Sequence, residues 1–257
     1  MTSMTSTAIA SEPPRLARMR LKAAVVDLDG TMIDTADDFT VGINGMLAEI
    51  GAAPPATREE VVGYVGKGSE HLIRSVLAAR FAPEEAQARF ETALAAYQAH
   101  YEQINGIHSR LYPDVERGLA ALRDAGLTLA CVTNKPRRFA VELLEQYSLA
   151  QYFSVVFGGD SLPRKKPDPA PMLAACAAMG VAPHETVAIG DSENDALAGR
   201  AAGMATLTVP YGYNHGKAVQ AIESDGIVPT LLAAATFIAN HHASLEATSA
   251  TSRSPTK

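Results

Sequence analysis

The run Ala23-Ala24-Val25-Val26-Asp27-Leu28-Asp29-Gly30-Thr31 decides the fold, because four apolar residues lead directly into two carboxylates and a glycine. An apolar run without polar alternation, closed by turn residues, predicts a strand buried on both faces. Similar runs recur at 127–132, 187–189 and 205–209, and 154–157 is a further expected strand. Helical patterns at 115–124, 139–146 and 195–202 lie between them. Unalternated strands interleaved with amphipathic helices predict an α/β fold built on a parallel sheet covered on both sides.

One segment interrupts that alternation. From 36 to 108 only helical signals occur, at 39–50, 58–64, 69–80 and 84–101, punctuated by Gly51, Pro54, Pro55 and Pro83. Thr57 stands where a helix N-cap is expected. The predicted layout is a Rossmann-like core at 21–35 and 109–243, with a helical bundle at 36–108 inserted after the first strand. Segments 1–20 and 244–257, rich in Ser, Thr and Ala, are expected to be loose tails.

The 257 residues are 47% hydrophobic and 19% charged, a balance too apolar for a disordered chain. With 22 Lys+Arg against 28 Asp+Glu, the formal charge of -6 argues against a nucleic-acid partner, which requires an electropositive surface. No uncharged run suits a bilayer, and the apolar stretch 169–183 is broken by Pro171, Gly180 and Pro183. Residues 1–14 do not resemble a secretory signal. Cys131 and Cys176 both fall in apolar stretches, read as core thiols, and a reducing cytoplasm is the expected setting. The seven histidines do not form a ligand set.

Chemistry gathers at the carboxyl ends of the expected strands, where open parallel sheets bind ligands. The first ends in Asp27, Asp29 and Gly30, with Asp34 beyond; another ends in Thr133-Asn134-Lys135-Pro136. Lys166 lies in the run Arg164-Lys165-Lys166-Pro167-Asp168, and Gly190-Asp191-Ser192 is followed by Asp195. Carboxylates brought within a few ångströms of one another require a cation, and an all-oxygen set suits Mg²⁺. Gly30 permits close approach of a phosphate, while the Thr133 hydroxyl and Lys166 ammonium suit phosphoryl oxygens. A carboxylate nucleophile beside Mg²⁺ opens an aspartyl-phosphate route. Plainer roles compete: helix starts for Asp34, Asp168 and Ser192, dipole compensation for Asp195, solvated charges for Arg164 and Lys165, and packing for Tyr211 and Tyr213.

The strings DLDGTMID (27–34), VTNKP (132–136), RKKPDPAP (164–171) and GDSENDALAGRAAGM (190–204) resemble, in order, the four motifs of the haloacid dehalogenase-like hydrolase superfamily. The helical insertion resembles its cap. The resemblance implies that Asp27 is the nucleophile and Asp29 the general acid and base, with Thr133 and Lys166 binding phosphoryl oxygens. Mg²⁺ would be held by Asp27, the Asp29 carbonyl and Asp191, with Asp195 nearby. Gly30, Thr31 and Asn134 are expected to contact substrate.

The run VPYGYNHG (209–216), the loop GYVGKG (63–68) and Leu111-Tyr112-Pro113 are similar to segments of bacterial phosphoglycolate phosphatases, although Asp114 stands where that group has glycine. The implied substrate is a small phosphorylated metabolite, 2-phosphoglycolate first, with Gly66, Lys67 and Gly68 receiving its carboxylate. A sugar-phosphate phosphatase, a pyrophosphatase, a phosphoglucomutase-like phosphotransferase and a non-catalytic phosphate sensor remain alternatives. A dehalogenase is disfavoured, because halide displacement does not use such a metal set.

Overall fold

A computed structural model describes the backbone of residues 19–251 and the side chains of 19–246. From the amino end, β1 (Ala23–Val26) and the short β2 (Ile33–Asp34) lead into α1 (Ala36–Glu49), α2 (Arg58–Tyr64), α3 (Ser69–Ala78) and α4 (Pro83–Ile104). The chain returns through β3 (Arg110–Leu111), antiparallel to β2, with Ile33 opposite Leu111. It continues through α5 (Val115–Asp124), β4 (Thr128–Val132), α6 (Arg137–Gln146), β5 (Val155–Phe157) and α7 (Ala170–Met179). The remainder is β6 (Thr186–Gly190), α8 (Glu193–Ala202), β7 (Ala205–Thr208), β8 (Gly226–Ile227) and α9 (Leu231–Thr251).

Six parallel strands form the main sheet in the order β5-β4-β1-β6-β7-β8. Alternate side chains of β1 serve opposite faces, as the period of two requires. Ala24 and Val26 join Leu129, Cys131, Val187 and Ile189 in a core closed by α5, α6 and α9. Val25 joins Ala130, Val132 and Ala188 against Met172 and Cys176 of α7 and Ala198 and Ala202 of α8. Covering both faces removes the polar alternation from these strands, and makes them readable as unbroken apolar runs. Both cysteines are free and buried.

The four helices after β2 have an apolar core of their own. Phe39, Ile43, Met46, Ile73, Leu77, Phe90 and Tyr97 are its buried members, and Phe139 and Tyr213 from the sheet unit pack against them. Asp38 is fully buried at the return from α4. It accepts from the Gly106 and His108 amides, both at 2.7 Å, and from the Ser109 hydroxyl.

Three short strands were not expected: β2, β3 and β8 have two residues each, too few to carry a periodic signal. The expected tail from 244 also differs, because α9 runs to Thr251. Its alanines sustain helix without an apolar stripe, and the polar serines and threonines among them suggested coil. Residues 1–18 and 252–257 of the expected tails lie outside the described residues. Among the described residues no helix is long and apolar enough to cross a membrane.

β1 is the switch point of the sheet. Val26 is level with Cys131 of β4 on one side and Ile189 of β6 on the other. Asp27, Thr133 and Asp191 therefore leave three adjacent strands at the same edge, the crevice that doubly wound sheets offer to ligands.

Candidate active site

The buried end of this crevice is built around one ammonium. Lys166, on the loop between β5 and α7, donates to Asp27 Oδ1 at 2.6 Å, Asp195 Oδ1 at 2.6 Å and the Val132 carbonyl at 2.7 Å. All three of its N–H groups are thereby used. Asp195 lies in the first turn of α8, where its Oδ2 accepts from the Ser192 amide at 3.1 Å and hydroxyl at 2.7 Å. Asp191 accepts from the Thr31 hydroxyl at 3.0 Å and from the Tyr213 amide at 2.7 Å.

Asp27, Asp191 and Asp195 are buried and each brings one carboxylate oxygen within 4.8 Å of the others. Three carboxylates around one ammonium leave an excess of two negative charges in a desolvated site. Burial pushes the Asp27 carboxyl well up; Asp195 adds to the rise, Lys166 opposes it, and Asp191 raises it further. Burial followed by the charge of Asp195 pushes Asp191 up to about 7. Burial alone would lower Lys166, but Asp195 and Asp27 outweigh it and hold it as a cation. The unbalanced charge and the all-oxygen donor set fit a hard divalent cation.

Gly30 and Thr31 serve this cluster from beneath. Gly30 has φ +83°, and a Cβ there would lie 2.6 Å from Asp191 Oδ2. Its amide donates to the Ile33 carbonyl at 2.9 Å. Thr31 is fully buried against Asp191. Both positions thus support Asp191 from behind the cleft. The tight DGT turn folds their polar groups inward.

The cleft, about 650 Å³ including its mouth, runs from the carboxylates to the helical unit. Thr133 and Asn134 line it on the β4 side, and Val65, Gly66, Gly68 and Ser69 line it opposite. Asn134 Nδ2 donates to the Gly66 carbonyl and the Lys166 carbonyl, both at 2.8 Å. Asn194 Nδ2 donates to the same Gly66 carbonyl at 3.1 Å. Two amides thus tie the loop between α2 and α3 to the sheet edge. Lys67 on that loop, flanked by glycines, is exposed.

Asp29 faces the middle of the cleft. Its Oδ1 accepts from the Thr35 hydroxyl at 2.7 Å and from Lys135 Nζ at 3.0 Å. Lys135 is buried and also donates to the Tyr101 hydroxyl at 2.7 Å. Tyr213 does more than pack: its hydroxyl donates to Asp34 Oδ1 at 2.9 Å and accepts from the Thr35 amide at 2.7 Å. Asp34 also receives Arg58 Nη2, 3.0 Å from each carboxylate oxygen, so the link between β1 and α1 is held from both sides. Asp168 accepts from the Ala170 amide at 2.9 Å, as the helix start expected of it.

Sequence reasoning missed Lys135, Thr35, Asn194 and the polar use of Tyr213. For Lys135 a signal was present: a lysine between Asn134 and Pro136, directly beyond a buried strand, has little freedom to reach solvent.

Residues 21–203 match the haloacid dehalogenase-like hydrolase family. A phosphoglycolate phosphatase of Thiobacillus denitrificans is 44% identical over 218 residues, covering 85% of this chain and 96% of that protein. One from Nitrosospira multiformis gives the same identity over the same length, with 85% and 96% covered. A solved structure from Haemophilus somnus 129pt, described as a predicted phosphoglycolate phosphatase, superposes with TM-score 0.79 at 30% identity. That likeness covers 86% of this chain and 99% of the other.

Proposed function

Because the chain belongs to the haloacid dehalogenase-like hydrolase family, we propose that it is a Mg²⁺-dependent phosphatase hydrolysing 2-phosphoglycolate to glycolate and phosphate through an aspartyl-phosphate on Asp27. The observation that carries this reading is the buried cluster of Asp27, Asp191 and Asp195 around Lys166, at the edge where Thr133 also emerges. The names of the relatives supply the substrate.

Asp27 and Asp191, with the Asp29 carbonyl, would hold Mg²⁺, and the bound ion would neutralise charge developing on the phosphoryl oxygens. Asp195, with one oxygen on Lys166 and the other on Ser192, orients the lysine more directly than it serves the metal. Lys166 favours the ionised form of Asp27 and aims it.

An Asp27 oxygen attacks phosphorus, the bond from phosphorus to the glycolate oxygen breaks, and Asp29 delivers a proton to that oxygen. Water then attacks phosphorus, Asp29 takes its proton, and the bond to Asp27 breaks to release phosphate. Thr133 and the Gly66 and Gly68 amides donate to the substrate, while Asn134 holds loop and lysine in register. In this reading 21–35 and 109–243 carry the chemistry, and 36–108 is the cap that excludes water. The buried free thiols suit a reducing compartment such as the cytoplasm.

The test is a panel of 2-phosphoglycolate, glucose 6-phosphate, β-glucose 1-phosphate and pyrophosphate with Mg²⁺ present. The proposal expects 2-phosphoglycolate to have the highest kcat/KM, with phosphate release lost under EDTA and in Asp27→Asn. Transfer of phosphoryl to a sugar instead of water would establish a mutase.

A further inference from the structure

Beyond the phosphoryl end, the cleft wall is apolar and aromatic, formed by Phe39, Leu72, Tyr97, Tyr101 and Phe139. Into this wall comes a second buried cation. The Lys135 side chain is 1% exposed, and its ammonium lies 4.5 Å from the Phe39 ring centre and 4.8 Å from that of Tyr101. Among the described residues that line the cleft, Lys166 and Lys135 are the cationic side chains. Lys166 has no N–H left to offer a ligand, as its three acceptors are all protein oxygens. Lys135 has one, since only Asp29 and the Tyr101 hydroxyl take its donors.

A second unspent donor is close at hand. The Tyr97 hydroxyl is buried, lines the same cleft and has no hydrogen-bond partner, while its ring stacks on Tyr101 at 5.4 Å between centroids. A buried hydroxyl left unpaired is costly, and a water, ion or ligand in the cleft would satisfy it. Two unspent donors, one charged, beside aromatic rings form a receptor for an anion, and the rings strengthen it by excluding water.

We propose that Lys135, assisted by the Tyr97 hydroxyl, selects the substrate by binding a carboxylate joined to the leaving oxygen through one carbon. The inference rests on the phosphatase reading above, in which Asp29 protonates the leaving oxygen. Lys135 holds Asp29 directly, so a group one carbon beyond that oxygen falls within the lysine's reach. This assigns to a buried lysine of the VTNKP string the task expected of the exposed Lys67.

The test compares kcat/KM for 2-phosphoglycolate and 2-hydroxyethyl phosphate, which share a skeleton but differ in carboxylate against CH₂OH, using the full chain with Mg²⁺. Wild type is expected to favour 2-phosphoglycolate. In Lys135→Met that preference should fall about 10- to 150-fold, the scale of one lost charged hydrogen bond. In Tyr97→Phe, which removes a single oxygen, it should fall about 3- to 10-fold.

Equal losses on both substrates would overturn the proposal, reducing Lys135 to a positioning residue for Asp29, and so would an unchanged preference. A wild type without preference would instead overturn the substrate reading and this inference with it, before any variant is made. Should Lys135→Met fail to fold by circular dichroism, Tyr97→Phe decides alone.

Discussion

Gly212 offers a test of the carboxylate cluster from outside it. A Cβ on Gly212 would lie 2.5 Å from Asp191 Cγ, with further atoms of that side chain nearer still. Non-bonded carbons are comfortable at about 3.5 Å, so Gly212→Ala forces the loop and Asp191 apart by about 1 Å. The next residue supplies the amide that holds Asp191 Oδ2, at 2.7 Å. Adding that displacement takes the contact past hydrogen-bonding range.

A hydrogen bond to a charged group contributes about 1.5–3 kcal/mol, which corresponds to about 10- to 150-fold in an equilibrium constant. The half-saturating Mg²⁺ concentration for phosphate release should therefore rise by that factor, with kcat largely recovered at saturating Mg²⁺. The assay is phosphate release from 2-phosphoglycolate across a MgCl₂ titration, with melting followed in parallel. An unchanged Mg²⁺ requirement in a folded Gly212→Ala protein would refute the claim that Asp191 must sit where the YGYN segment holds it.

Lys166→Met leaves three buried carboxylates without their ammonium; a loss of about 3–5 kcal/mol in stability is expected by urea unfolding in EDTA, and Mg²⁺ should restore part of it. Stability should also depend on pH through Asp191. Its carboxyl titrates near 7 when folded, above the ordinary value, so the folded state binds more protons than the unfolded between about 4 and 7. Melting of metal-free protein should consequently fall as pH rises through that window and level off above it, while saturating Mg²⁺ should suppress the fall. Asn194→Ala removes one of two amides on the Gly66 carbonyl; a neutral hydrogen bond contributes about 1 kcal/mol, so KM should rise about 5-fold with kcat little changed.

The sheet was legible because burial on both faces erases polar alternation, leaving Ala23-Ala24-Val25-Val26 and its counterparts as plain apolar runs. Asp27, Thr133 and Asp191 were legible as a set because parallel strands put all their carboxyl ends on one edge. What a strand end cannot reveal is which way the following side chain turns. Thr31 and Gly30 follow Asp27 closely yet turn beneath Asp191, because the turn after β1 is tight.

Lys67 and Lys135 differ in burial for a similar reason. Lys67 stands exposed between two glycines, whereas β4 and Pro136 hold Lys135 in the interior, where Asp29 and two aromatic rings receive it. A lysine's burial depends on such tertiary partners, and the linear chain does not display them.

The central claim concerns where the phosphoryl group goes. It is tested most directly by mixing enzyme with ³²P-labelled substrate and Mg²⁺, quenching in acid within the first turnover, and mapping the label by peptide mass. The account predicts a hydroxylamine-sensitive phosphoryl group on the peptide containing Asp27, absent from Asp27→Asn. Label on any other residue, or a burst of glycolate with none on the protein, would contradict it.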